Sequence, residues 1–146
     1  MQSYTEWEFP IDPRPPESMY TGRDIPPLPP ALHTASFADG FVQLCKQSAL
    51  TFGADRRAPV ATRPVLRIKL DGPRAVVLPC TTRDHRESPE FYELTSERVM
   101  WTQANDRPSF AFWRYESVPI EAVHSKIGIL QHPARIALLA WLKSRY

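Results

Sequence analysis

The sequence has no apolar run approaching the roughly 18 residues that a membrane span needs, and its acidic, proline-studded start lacks the basic-then-apolar layout of a secretory signal. A soluble, cytoplasmic protein is the expectation. Cysteine is limited to Cys45 and Cys80, widely spaced and without metal-ligand spacing, and Cys80 falls in an apolar run that suits a small buried thiol. Neither a disulfide framework nor a zinc site is supported. Glycine is scarce, with 5 residues in 146, whereas proline is abundant at 16. That is about twice the usual share of about 5%. Eight of the prolines lie between Pro10 and Pro30 and the rest are scattered singly, which divides the chain into a proline-rich arm, residues 1–34, and one compact domain, residues 35–146.

Charge divides the chain at the same place. The arm carries two arginines against five acids, a balance of −3, and the body carries 16 basic against 11 acidic side chains, a balance of +5. Fourteen of the 18 cations are arginine, whose planar fork suits phosphate and carboxylate. A basic, arginine-rich body fits a nucleic-acid partner, and a GC-rich genome would produce the same composition without one.

Within the arm the prolines block helix and interior strand alike, because each removes a backbone donor and restricts the residue before it. Ile25-Pro-Pro-Leu-Pro-Pro30 reads as polyproline II with the PxxP spacing that SH3-type domains bind, a pattern that stiff spacers share. Tyr4, Trp7, Phe9, Met19 and Tyr20 are too apolar for a solvated tail, so part of the arm is expected to pack on the body or a partner.

The body opens ambiguously. Phe37, Phe41, Val42, Leu44 and Cys45 fit helical spacing, while Ala49 to Phe52 is short enough for a strand. Asp55 to Thr62 is a basic loop. Val65, Ile68 and Leu70, the turn Asp71-Gly72-Pro73 and the run Ala75 to Leu78 then predict a hairpin. A charged loop, Thr81 to Pro89, leads to short strands at Phe91–Leu94, Arg98–Trp101 and Phe110–Arg114, separated by turn material such as Asn105-Asp106. Pro119 predicts a short helix through Ser125, and Lys126 to Leu130 a brief extended piece. His132-Pro133 opens a final helix with Ile136, Leu139, Ala140 and Leu142 as its apolar stripe. The fold class is mainly β with α: a small, bent antiparallel sheet or barrel, covered at one end by a C-terminal helix.

The segment Thr62-Arg63-Pro64-Val65-Leu66, the hairpin, and Val76-Val-Leu-Pro79-Cys80-Thr81-Thr82 resemble the PemK/MazF family of toxin endoribonucleases. There a strand opening with Arg-Pro pairs with one that ends in Pro, an apolar residue and Thr followed by a small hydroxyl residue. Glu121 to Leu130, with Lys126-Ile127-Gly128, and the closing helix fall in the family's order, so the resemblance covers roughly residues 63–146. It implies an SH3-like barrel with a C-terminal helix, usually a homodimer. It also implies cleavage of single-stranded RNA without a metal or other cofactor, and an antitoxin peptide that blocks the RNA groove. Two departures stand out. The family begins almost directly with its first strand, whose counterpart here is Asp39 to Phe52, and where it often has Gln-Ile-Arg-Thr this chain has Arg114-Tyr115-Glu116-Ser117.

Metal-free cleavage uses the substrate's own 2′-hydroxyl as nucleophile, so the protein supplies a proton acceptor, a donor to the leaving 5′-oxygen and stabilisation of the phosphorane. By resemblance Arg63 is the catalytic arginine, assigned charge stabilisation, with proton donation as a further role, rather than base catalysis, because its guanidinium stays protonated. Thr81 matches the catalytic threonine, holding a phosphate or the 2′-hydroxyl; a strand-end hydrogen bond to a neighbouring turn is the alternative. His85, four residues on, is the candidate base, since an ordinary imidazole titrates near pH 6.5, and the alternative is a solvated loop histidine. Glu116 is a second candidate base, or half of an ion pair with Arg114. Arg56, Arg57, Thr82, Arg83, Arg86 and Arg114 are candidate RNA contacts, and the loop cations read equally as a solvated basic surface. Trp101, Trp113 and Tyr115 are candidates to stack on bases or, for the tryptophans, to fill core or dimer interface. A non-catalytic nucleic-acid- or protein-binding module of the same fold is the alternative function. The acidic arm is expected to lie against the basic groove or barrel edge.

Overall fold

A computed structural model describes residues 27–54, 60–103 and 109–146. Residues 1–26, the loop with Arg56 and Arg57, and the Asn105-Asp106 turn lie outside the described residues, and so do the expectations attached to them. After a four-residue helix α1 (Pro30–His33) come β1 (Phe41–Lys46), a 3-10 turn (Gln47–Ala49), β2 (Thr62–Asp71), β3 (Arg74–Thr81), β4 (Phe91–Leu94), β5 (Val99–Trp101), β6 (Ser109–Phe112) and β7 (Glu116–Pro119). A second 3-10 turn (Ile120–Ala122), β8 (Val123–Leu130) and α2 (His132–Ser144) complete the chain.

The strands form one antiparallel sheet in the order β4-β6-β3-β2-β1-β8-β5, nearly closed into a small barrel. The free edge of β3 is divided. Its first half, Arg74–Val77, pairs with β7, and its last two residues, Cys80 and Thr81, pair with β6. Bulges supply the curvature. The β2–β3 register slips between Arg67 and Lys69, and the β1–β8 register slips on either side of Gln43, opposite a stretch where Ser125 takes φ of 49°.

The predicted hairpin is present, with Asp71 paired to Arg74 across Gly72-Pro73. Gly72 has φ of +60°. Proline keeps φ negative at the second turn position, so the loop matches type II′, whose twist suits antiparallel strands. Two layers of core flank this hairpin. Leu66, Ile68, Val76, Leu78 and Cys80 face α2, together with Val42, Leu94, Val99 and Leu130. Val65, Ala75 and Val77 face the other way, toward Cys45, Leu50, Val118 and Ala122.

Five local expectations are corrected. The stretch from Phe37 to Cys45 is not a helix: Phe41–Lys46 is β1, paired on both sides, and Ala49–Phe52 is turn rather than strand. The Pro119 helix shrinks to one 3-10 turn because Val123 and His124 are taken by β1, opposite Cys45 and Leu44. Its predecessor β7 was not foreseen. Helix α2 starts where expected but is rotated. Ala134, Leu138, Leu139 and Leu142 are buried, whereas Ile136 is 46% exposed and Ala140 is also exposed. Both stripes have helical spacing, and only packing selects between them. The polyproline II reading, whose Ile25 and Pro26 lie outside the described residues, fails at its last residue. Pro29 is extended at φ −59°, ψ 142°, but Pro30 opens α1, at the position where a missing donor costs nothing.

The described end of the arm is joined to the body. Leu32 is fully buried in the core beneath α2 and Leu28 packs against it. Tyr115 Oη donates to the Pro27 carbonyl at 2.7 Å, and Lys143 Nζ donates to the Ala35 carbonyl at 3.0 Å.

Candidate active site

Arg63 is the second residue of β2 and Thr81 the last of β3, strands whose pairing runs to Val65 opposite Pro79. Arg63 reaches the end of β3 through its side chain, which bonds the carbonyl of Cys80, the residue before Thr81. Arg63 is 1% exposed and Thr81 2%. A buried guanidinium needs hydrogen-bond acceptors around it, and Arg63 has them: Nε donates to Gln47 Oε1 at 2.8 Å and Nη1 to the Cys80 carbonyl at 3.1 Å. Its Cζ also lies 4.8 Å from the centre of the Phe52 ring, within cation–π range.

The turn after the first 3-10 segment closes over this group. Gln47 Nε2 donates to the Phe52 carbonyl at 2.7 Å, while Glu116 on β7 accepts the backbone N–H groups of Thr51 and Phe52 at 2.7 and 2.9 Å. Gln47, Phe52 and Glu116 form a shell that sequence reasoning missed or misread. Glu116 is an anchor for the turn rather than an exposed base, and no local pattern marks Gln47, because its partners come from sequence positions far apart.

Thr81 Oγ1 accepts the backbone N–H of Arg83 at 3.2 Å, the strand-end turn bond foreseen as the alternative to a substrate role. The following loop positions its charges unevenly. Arg86 is exposed and paired with Asp84 at 3.5 Å and Glu93 at 3.7 Å, while Thr82 and Arg83 are half-buried beside the end of β3. His85 is half-buried rather than fully solvated. Its ring stacks on Phe91 at 3.7 Å and meets the edge of Phe110, the residue paired with Thr81. Contacts between Phe91 and Phe112, and Phe112 and Phe52, complete an aromatic bridge from His85 to the ring beneath Arg63. Arg114 is half-buried just before β7.

Trp113 belongs to the phenylalanine cluster, and Trp101 and Tyr115 pack against the main core. Beside Gln47, a cleft of about 610 Å³ is lined by Lys46, Ser48, Leu50, Thr62 and His124 among others. Burial pushes the Cys80 thiol up to about 12, against the opposing pull of Arg63, and Cys45 likewise to about 12 through burial and the Glu116 charge. Both thiols are protonated at neutral pH and neither is an activated nucleophile.

With this geometry in view, the barrel can be compared with solved structures. The chain has the fold of a MazF toxin. The Mycobacterium tuberculosis toxin MazF-mt6 superposes with a TM-score of 0.51 at 15% sequence identity, over 71% of this chain and 93% of that one. No protein-family model matches the sequence, and no curated protein matches it. The MazF likeness is therefore one of fold, and it extends over more of the chain than the sequence motifs do. Among the described residues no helix is long and apolar enough to cross a membrane, and no three His, Cys, Asp or Glu side chains gather in a group suited to a metal.

Proposed function

We propose that the protein is a cytoplasmic endoribonuclease toxin that cleaves single-stranded RNA without a metal or other cofactor, as a homodimer controlled by a cognate antitoxin. The observation that supports this reading is the Arg63 guanidinium bonded to the Cys80 carbonyl, next to Thr81 at the end of β3, on a MazF-like barrel. Arg63 stabilises the charge that builds on the phosphorane oxygens, and Thr81 holds the phosphate or the attacking 2′-hydroxyl. His85 accepts the 2′-hydroxyl proton, Arg63 donates a proton to the leaving 5′-oxygen, and Arg83, Arg86, Thr82 and Arg114, with Arg56 and Arg57, contact RNA. The test is incubation of the full chain with mixed single-stranded RNA in EDTA. Cleavage that Arg63→Ala abolishes is expected, and intact RNA, or equal cleavage by the variant, removes the proposal.

One observation favours a second reading. The Arg63 guanidinium is buried and bonded to protein acceptors, as a purely structural arginine would be. The same barrel would then be a binding module. Salt-dependent association with RNA or with a protein partner, without strand scission, identifies it.

A further inference from the structure

Resting on the endoribonuclease reading, we propose that Gln47 is a positioning residue for Arg63, coupled through Phe52 to the Glu116 anchor. Gln47 is buried, and its amide is turned inward at both ends: Oε1 receives Arg63 Nε–H at 2.8 Å and Nε2 donates to the Phe52 carbonyl at 2.7 Å. The Phe52 carbonyl fixes which end of the amide faces Arg63, because an acceptor there can only be met by the NH2 group. The oxygen is thereby presented to the guanidinium. Phe52 is itself held by its N–H to Glu116 Oε2 at 2.9 Å, and its ring lies against Arg63 Cζ. The contacts close a circuit, Glu116 to Phe52 to Gln47 to Arg63 and back to the Phe52 ring, which restrains a long side chain with many rotamers to one orientation.

An arginine that stabilises a phosphorane contributes most when its fork is fixed before charge develops, since reorientation during the reaction would consume the gain. Gln47 performs this service from inside the protein. Its loss should therefore lower kcat and leave KM nearly unchanged.

The experiment uses the full chain, with cleavage of single-stranded RNA in EDTA and the NMR signal of Arg63 Nε–H as independent readouts. Gln47→Met keeps the length and removes both hydrogen bonds. It should lower kcat by about 10²-fold, the scale of an angstrom-level misplacement, with KM within about twofold. In an Arg63→Lys background the same substitution should cause little further loss. Gln47→Glu keeps an acceptor for Arg63 but offers none of the donation that Phe52 requires, so it should retain the Nε–H signal and lie between wild type and Gln47→Met. This variant keeps the test meaningful if Gln47→Met folds poorly. A raised KM with unchanged kcat in Gln47→Met, additive losses in the double variant, an Arg63 Nε–H signal unmoved in Gln47→Met, or one lost in Gln47→Glu overturns the proposal. If wild type cleaves no RNA, the endoribonuclease reading fails on its own, and the Nε–H signal in Gln47→Met and Gln47→Glu still decides whether Gln47 orients Arg63.

Discussion

Gly53 stands against the Arg63 guanidinium so closely that a Cβ built on it would lie 2.9 Å from Arg63 Cζ and nearer still to Nη2, and its φ is +81°. Gly72 offers a control, with φ of +60° and nothing within 4 Å of a Cβ placed there. Both alanine variants carry the backbone strain of a positive φ, about 1–3 kcal/mol. Only Gly53→Ala must also displace Arg63. Urea unfolding should show a larger loss for Gly53→Ala than for Gly72→Ala, and RNA cleavage should fall in the first and persist in the second. Matching losses in both assays would show that the turn and Arg63 are uncoupled.

The contrast between these glycines shows what was legible in the sequence. Gly72 sits in a local signal, Asp-Gly-Pro between two apolar runs, and the hairpin follows from it. Gly53 owes its role to a side chain on another strand. The same division runs through the site. Arg63 and Thr81 were marked by resemblance to a family motif on two strands of a predicted hairpin, whereas Gln47 carried no signal and Glu116, read as a candidate base or half of an ion pair, holds backbone N–H groups of a turn that has no periodic pattern. Short segments failed where long-range pairing overrode local preference. Val123 to Ser125 fits a helix begun by Pro119 but completes β8 against β1. Helix α2 was found from its proline start, while the face it buries depended on packing against Val42, Leu66 and Leu78 that no helical wheel contains.

The arm makes a separable prediction. All of its charged side chains lie within residues 1–26, so deleting that segment removes the full −3 while keeping Leu28 and Leu32. We expect the shortened chain to remain folded and to bind or cleave RNA more strongly. Unchanged or lower activity in a folded truncation would leave the segment as a spacer. Deletion through residue 34 instead removes the fully buried Leu32, for which Leu32→Ala alone should cost about 2–5 kcal/mol. Thermal unfolding of the two truncations side by side separates loss of the acidic segment from loss of core.

The buried thiols predict a one-sided pH dependence. Cys45 and Cys80 hold their protons to about 12 in the folded chain, against an ordinary value of 9.0. Between these values the unfolded chain has released protons that the folded chain retains, so stability falls as pH rises, and below about 9 these two groups contribute no slope. The urea midpoint should drop from pH 8 to pH 10.5. Replacing both cysteines with alanine should flatten that decline, whatever the change in absolute stability. An equally steep decline in the double variant would assign it to other groups.

His85 combines two roles that one substitution pair can divide. Its ring stacks on Phe91 at 3.7 Å with an interplanar angle of 9°, a packing contact that needs a flat ring but no proton. The proposed proton transfer needs the nitrogen. His85→Phe keeps a ring against Phe91 and abolishes the base; His85→Ala removes both. Loss of an aromatic pair costs about 0.5–1.5 kcal/mol beyond the buried area, so His85→Ala should be the less stable variant, with His85→Phe close to wild type in urea. Cleavage should fall in both by about 10²-fold or more, the usual contribution of a general base. Wild-type cleavage by a folded His85→Phe protein would place the base elsewhere and leave His85 as a packing residue of the loop.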